Sequence, residues 1–264
     1  MSVTSDMFDL RGKTVLVTGG NSGLGLAFAR GMVRHGANAI LWGRNGEKNA
    51  AAVAELSKLG TTISAQIVDV TDEAQVVAGF AEAVRKAGKI DCFVQNAGFA
   101  NPAASFMEMS SDQYHAQIDV ALNGGFYTLR EAARHMSGRA AAGDRGGSII
   151  LCGSGTVFAG IAGMEHYGAA KAGLAAMMRG MATELARHGV RVNMIAPGYI
   201  KTDLGGGDQL AADMEAMFAQ RTPVGRVGSP ADIEAAAVYL ACDASSFHTG
   251  DILNIDGGWR ASYF

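Results

Sequence analysis

Tyr167 and Lys171 stand four residues apart in the run Tyr167-Gly168-Ala169-Ala170-Lys171. If that run opens a helix, both side chains share one face, and a phenol and an ammonium point into the same cleft. A free phenol has a pKa of about 10 and exchanges protons poorly at neutral pH. A fixed cation beside it stabilises the phenolate, and a shift of about 3 units corresponds to roughly 4 kcal/mol. Such a pair can serve as general acid and base, with the phenol carrying the proton. Standing alone, such a pair is more often a coincidence of two surface side chains than a site.

A second run with chemical content is Thr18-Gly19-Gly20-Asn21-Ser22-Gly23-Leu24-Gly25, which follows an apolar strand pattern and leads into a helical one. Glycines in that context let the backbone turn tightly and approach a pyrophosphate, whose charge meets unpaired N–H groups at the start of the helix. The spacing is G-x-x-x-G-x-G rather than G-x-G-x-x-G, so an ordinary tight turn is the competing reading. No Gly-Lys-Ser/Thr follows, and NTPase chemistry would lack both its lysine and its magnesium-holding hydroxyl. No His, Cys, Asp or Glu cluster has metal-ligand spacing, so no metal is expected.

These residues need a scaffold, and the chain predicts one. Short β-branched runs at 14–18, 39–42, 63–68, 90–95, 148–152, 191–196 and 252–255 alternate with helical patterns such as 24–35, 74–87 and 169–188. Strands without polar alternation suit a parallel sheet covered on both faces. Repeated βα alternation implies right-handed crossovers. The expectation is an α/β fold: a doubly wound, Rossmann-type, seven-stranded parallel sheet with helices on both faces, in one domain spanning 1–264. One long irregular stretch, 203–230, with Gly205-Gly206-Gly207 and then a Met-rich helical pattern, reads as a substrate-binding lid within it.

Bulk composition narrows the function. The 264 residues carry a formal net charge of -3 and no basic block, which disfavours nucleic-acid and anionic-membrane partners. The first residues, with two acids and no apolar run, lack a signal-peptide pattern. No stretch approaches the roughly 18 apolar residues of a membrane span. Cys92, Cys152 and Cys242 form no CxxC pair and read as buried thiols. A cytoplasmic protein is expected.

Taken together and in order, Thr18-Gly19-Gly20-Asn21-Ser22-Gly23-Leu24-Gly25, Asn96-Ala97-Gly98, Ser154 thirteen residues before Tyr167, Lys171, and Pro197-Gly198 resemble the short-chain dehydrogenase/reductase family in its single-domain form. The resemblance covers nearly the whole chain and ends in Thr249-Gly250-Asp251 and Asp256-Gly257-Gly258. It implies an NAD(P)(H)-dependent oxidoreductase that interconverts a secondary alcohol and a ketone by direct hydride transfer. Tyr167 would be the general acid/base. Ser154 would hydrogen-bond the carbonyl oxygen as charge develops. Lys171 would bind the nicotinamide ribose and ease ionisation of Tyr167. Besides Gly19, Asn21, Ser22, Gly23, Leu24 and Gly25, the resemblance assigns Asp69 and Val70 to the adenine, Asn96, Ala97 and Gly98 to the cofactor border, and Ile200 and Thr202 to the carboxamide end. It also implies a homotetramer, in keeping with the small, apolar stretch 172–181.

One position departs from the pattern. Many relatives place an Asn in the long helix after the fourth strand, where it anchors a water that relays protons; here that position is Ala121. Asn123 lies two residues on, about 200° around a regular helix, and could substitute only if the helix were distorted, which Gly124-Gly125 could permit.

For the cofactor, Gly43 stands where NAD-preferring relatives often carry an acid, and Arg44 follows. Arginine can pair with a 2′-phosphate through two parallel hydrogen bonds, so NADP(H) is favoured and NAD(H) is the alternative, Arg44 then being a solvated residue beside the adenine. Leu204, Leu210, Met214, Met217 and Phe218 in the expected lid suit a partly apolar small-molecule carbonyl or alcohol substrate, although residues at such spacing also simply pack against the body. His166 reads as a bystander to Tyr167. Two rival functions stay open. One is a 3-oxoacyl-carrier-protein reductase, which would need Arg130, Arg134 and Arg139 to converge near the cleft. The other is a dinucleotide-binding sensor or scaffold with little turnover.

Overall fold

A computed structural model describes residues 7–202 and 208–262. Seven strands form one all-parallel sheet in the order β3-β2-β1-β4-β5-β6-β7. They are β1 (Thr14–Thr18), β2 (Asn38–Trp42), β3 (Ile63–Gln66), β4 (Cys92–Gln95), β5 (Gly147–Cys152), β6 (Val190–Pro197) and β7 (Ile252–Ile255). The order reverses between β1 and β4, and in open α/β sheets such a switch point leaves a crevice outside the carboxyl ends of the strands. Eight α-helices connect them among the described residues: α1 (Gly23–Arg34), α2 (Gly46–Leu56), α3 (Glu73–Ala87), α4 (Ser111–Ile118), α5 (Gly124–Ala141), α6 (Glu165–Leu185), α7 (Asp208–Arg221) and α8 (Ala231–Ala241). None of the helices described is long and apolar enough to cross a membrane.

The sheet is buried on both sides because its strands are apolar on both faces. In β1, Val15 and Val17 enter the layer shared with α1 and α8, while Leu16 enters the opposite layer with α3, α5 and α6. The same alternation divides Cys92 and Val94 from Phe93, and Ile150 and Cys152 from Ile149 and Leu151. α1 and α8 meet closely: a Cβ on Gly31 would lie 2.9 Å from the Glu234 carbonyl, and Glu234 pairs with both Arg30 (3.2 Å) and Arg34 (2.8 Å).

Two strands are shorter than their apolar patterns. β3 is an edge strand and ends with its partner, Trp42 pairing with Gln66, after which Ile67 turns out to solvent, 68% exposed, and Val68 turns back into the core. β4 begins two residues late because the Ile90 amide donates to His135 Nε2 (3.1 Å) and its carbonyl accepts from Arg139 (2.7 Å). Side chains of α5 thus take the backbone groups that a ladder would use.

Candidate active site

The glycine-rich turn is locked to the carboxyl end of β4. Thr18 lends its hydroxyl oxygen to the amides of Asn96 (2.9 Å) and Ala97 (3.1 Å), and Asn96 returns its side-chain amide to the carbonyls of Thr18 (3.0 Å) and Gly19 (3.2 Å). Gly19 and Gly23 have φ of 61° and 52°, a region side chains rarely adopt, and a Cβ on Gly25 would strike the Gly19 carbonyl and lie 2.5 Å from Asn96 Nδ2. Ser22 occupies the N-cap of α1 but makes no side-chain capping bond. The first-turn N–H groups of α1 are therefore left for another acceptor, and the turn fits an anionic pyrophosphate. Leu24 packs into the α1 side of the core, which seats the helix against the sheet.

Beside the turn, the ends of β2 and β3 meet. Arg44 extends over the edge to Asp69, guanidinium to carboxylate 3.7 Å. Partial burial opposes ionisation of Asp69, but bonds from the Thr71 amide and hydroxyl and the charge of Arg44 outweigh it and hold the carboxyl below its usual range. Val70, buried, packs against the first residue of α5: a Cβ on Gly124 would lie 2.9 Å from the Val70 carbonyl. One further residue here belongs to no motif. Asn49 on α2 is buried, accepts a bond from the Asn21 amide (2.7 Å) and donates to the carbonyls of Gly43 (3.0 Å) and Gln66 (3.3 Å).

Across the crevice, Tyr167 and Lys171 lie in the first two turns of α6, as their spacing predicted. Lys171 is buried, donates from Nζ to the Cys152 carbonyl at 2.7 Å, and sits 5.7 Å from the centre of the Tyr167 ring. Its ammonium also approaches Gly98, 3.9 Å from where a Cβ would stand. Ser154 is two residues beyond Cys152, and its hydroxyl accepts the Thr156 amide at 3.2 Å, fixing the turn that packs on α6. Lys171 therefore meets Gly98, Cys152 and Tyr167 at the ends of β4 and β5, and Ser154 follows Cys152 by two residues.

Several neighbours were not legible beforehand. The ring of Trp259 lies 3.4 Å from a Cβ position on Gly155, and Arg260 stacks over Phe158 at 3.6 Å, so the C-terminal turn braces the loop that carries Ser154. His166 is more than a bystander: buried, it binds the Asn101 carbonyl through Nε2 (2.9 Å) and ties the loop after β4 to the start of α6. Ala103 N donates to Gly163 O (2.9 Å) beside it. A cavity of about 320 Å³ adjoins this wall, lined by Thr156, Ala159, Gly160, Ile161, Met164 and Glu165 among others.

Pro197 ends β6 and Gly198 follows it, the Gly198 amide bonded to the Ile255 carbonyl (3.0 Å), and Ile200 forms a parallel bridge with Gly228. Thr202 follows, half-buried. Of the expected lid, residues 203–207 and the side chains of Leu210 and Met214 lie outside what is described. Met217 is exposed, and Phe218 stacks on Tyr199 at 4.5 Å. The Phe218 ring face is thereby occupied within the protein.

Around Ala121 the helix is distorted. Residues Asp119–Asn123 form a π-helical turn between α4 and α5. Ala121 is fully buried, whereas Asn123 is exposed and bonds Asp119 Oδ1 at 2.9 Å. The distortion foreseen beside Gly124-Gly125 exists, yet it does not turn Asn123 inward. The arginines that a carrier-protein docking patch would need lie on α5. Arg130 pairs with Glu73 and Glu131, Arg134 with Glu131, and Arg139 is drawn under the sheet to Ile90 and Gly146. Each is thus matched to its own partner: Glu131 on the same helix, Glu73 on α3, or a backbone carbonyl just before β4 or β5.

A family model described as enoyl-(acyl carrier protein) reductase matches residues 19–260. The gluconate 5-dehydrogenase of Gluconobacter oxydans is 36% identical over 97% of this chain and 98% of its own length. A 3-oxoacyl-[acyl-carrier-protein] reductase of Chlamydia pneumoniae is 36% identical over 94% of this chain and 97% of its own. Among solved structures, a short-chain type dehydrogenase/reductase from Mycobacterium marinum superposes with a TM-score of 0.90 at 32% identity, covering 97% of this chain and 99% of that one. A gluconate 5-dehydrogenase from Burkholderia cenocepacia in complex with NADP and tartrate superposes with a TM-score of 0.89 at 33% identity, covering 97% and 98%.

Proposed function

The chain belongs to the short-chain dehydrogenase/reductase family, and on that premise we propose that it interconverts a secondary alcohol and a ketone with NADP(H) as preferred cofactor and Tyr167 as general acid and base. The observation that carries this reading is the buried Lys171 ammonium, pinned to Cys152 O and 5.7 Å from the Tyr167 ring centre.

When bound, the dinucleotide supplies or accepts the hydride. The chain's own residues do the rest. During reduction the Tyr167 hydroxyl gives its proton to the substrate oxygen, and during oxidation the phenolate takes it back. Ser154 donates a hydrogen bond to the same oxygen and holds it while negative charge develops there. Lys171, unable to leave its buried seat, keeps positive charge beside the phenol and donates to the ribose hydroxyls. Gly19, Asn21, Ser22, Gly23 and Gly25 receive the pyrophosphate, with Leu24 seating the helix. Asp69 and Val70 border the adenine, Arg44 meets the 2′-phosphate, and Asn96, Ala97 and Gly98 line the middle of the crevice. Pro197, Gly198, Ile200 and Thr202 hold the carboxamide end.

The substrate is a small carbonyl compound or alcohol, partly apolar, since Ile161 and Met164 line the cavity beside α6. A cytoplasmic homotetramer is the assembly proposed. Phe106 and Met107 before α4 and Phe126 on α5 are exposed and supply apolar surface for contact between copies. The likeness to the Chlamydia reductase favours a second reading, a 3-oxoacyl group on a carrier protein, but the paired arginines of α5 lend it no docking patch. A sensor without turnover would have no use for Ser154, Tyr167 and Lys171 gathered in one cleft.

The test is titration with NADPH and NADH, then turnover on a panel of ketones and secondary alcohols. Tyr167→Phe is expected to cut kcat by about 10²–10⁴ while cofactor binding persists. Full activity in that variant would remove Tyr167 from its role, and binding of neither dinucleotide would overturn the reading itself.

A further inference from the structure

In dinucleotide folds the adenosine ribose is read at the end of the second strand, where a carboxylate accepts bonds from the ribose hydroxyl or an arginine accommodates a 2′-phosphate. Gly43 is the first residue after β2. Its φ is not in the left-handed region, so backbone conformation does not demand a glycine. Space does. A Cβ on Gly43 would strike the Asn21 side-chain amide nitrogen and lie 2.6 Å from Asn21 Cγ and 2.7 Å from Asn49 Oδ1. Any side chain at 43 would have to displace the amide pair that Asn21 and Asn49 form with each other.

Asn49 does not yield easily. It is 4% exposed, and its one amide bonds the glycine-rich turn through Asn21 (2.7 Å), the end of β2 through Gly43 O (3.0 Å) and the end of β3 through Gln66 O (3.3 Å). Unpairing a buried amide carries the full desolvation penalty of the group left unsatisfied. A carboxylate at 43 would also face Asn49 Oδ1, acceptor against acceptor. Arg44, next in the chain, is the charged group left to read the ribose end, and its side chain is 68% exposed.

We propose that Asn49 is a specificity-determining residue that acts through Asn21 and Gly43: its buried amide fills the place of a ribose-reading carboxylate and so sets the preference for the 2′-phosphorylated dinucleotide. The proposal rests on the NADP(H) reading above.

The experiment measures kcat/KM with NADPH and with NADH for the wild type, Gly43→Asp, Asn49→Ala and the double variant, with Tm for each. Gly43→Asp alone is expected to lower Tm and to weaken both cofactors at least tenfold. Adding Asn49→Ala should restore NADH efficiency to above the wild-type value and move the NADPH/NADH ratio about 100-fold toward NADH. A purely structural Asn49 would change Tm and leave that ratio where it stood. The proposal is overturned if Gly43→Asp alone switches preference at unchanged Tm, or if the double variant is no better with NADH than the single. Gly43→Ala in both backgrounds isolates the steric part should the double variant fail to fold: Asn49→Ala must then relieve its loss. A wild type that prefers NADH would instead sink the cofactor reading, and the wild-type ratio reports that separately.

Discussion

Arg44 and Asp69 form an exposed pair at 3.7 Å, and such pairs contribute only about 0–1 kcal/mol. Little is lost when the guanidinium turns from the carboxylate to a phosphate, with which it makes two parallel charge-assisted bonds. Asp69 stays anionic meanwhile. Its folded pKa lies below the ordinary value despite partial burial, so the stabilisation from its Thr71 bonds and Arg44 is complete above the unfolded pKa and is lost only as pH falls through the lowered one. Cofactor preference should therefore be flat from about pH 5 upward as far as Asp69 is concerned. Arg44→Asp removes the cation and sets a second carboxylate beside Asp69. It is expected to raise KM for NADPH at least tenfold while changing kcat/KM for NADH less than threefold, read from initial rates with each cofactor. An unchanged NADPH KM would take Arg44 out of phosphate recognition.

At the scale of elements, the π-helical turn Asp119–Asn123 separates what periodicity treats as one long helix. Its extra residue explains why side-chain spacing misleads there. Gly124 and Gly125 pack α5 against neighbours: Cβ atoms would lie 2.9 Å from Val70 O and 2.7 Å from Leu174 Cδ2. Ala121 is fully enclosed in the turn, so Ala121→Asn inserts an amide into filled space, with a cost of about 1–3 kcal/mol. It should lower Tm by several degrees while kcat stays within about threefold. A hundredfold gain in kcat would instead mean that proton relay limits the native enzyme. The strands and α6 were legible in the sequence because a sheet buried on both faces writes continuous apolar runs, and because Tyr167 and Lys171 sit one helical turn apart. Asn49, Trp259 and His166 were not, since their work is done on partners far along the chain or on backbone carbonyls. Spacing also could not foresee that Glu73 and Glu131 would claim Arg130.

The whole molecule encloses its three cysteines in a single layer of the core. Cys92 on β4, Cys152 on β5 and Cys242 after α8 share the cluster beneath α1 and α8, none more than 4% exposed. Burial pushes the Cys92 thiol up to about 12, with only a small offset from the Arg191 charge, and burial raises Cys152 as well although Lys171 opposes it. Thiolate is the reactive form, so the native protein should resist maleimide at pH 8 and expose three reactive thiols only on unfolding. The same burial makes stability depend on alkaline pH. In the unfolded chain Cys92 ionises near its ordinary value of 9.0, while the folded chain keeps the proton to about 12. The folded state then binds more protons, and stability that is complete below the unfolded pKa falls as pH rises across that window, by about 1 kcal/mol per pH unit. Urea midpoints at pH 8 and pH 10.5 should therefore separate further in the wild type than in Cys92→Ala, even though the variant starts from a lower midpoint because it leaves a cavity. Equal separations would show that the Cys92 proton is not held by the fold, and that the alkaline sensitivity belongs to other groups.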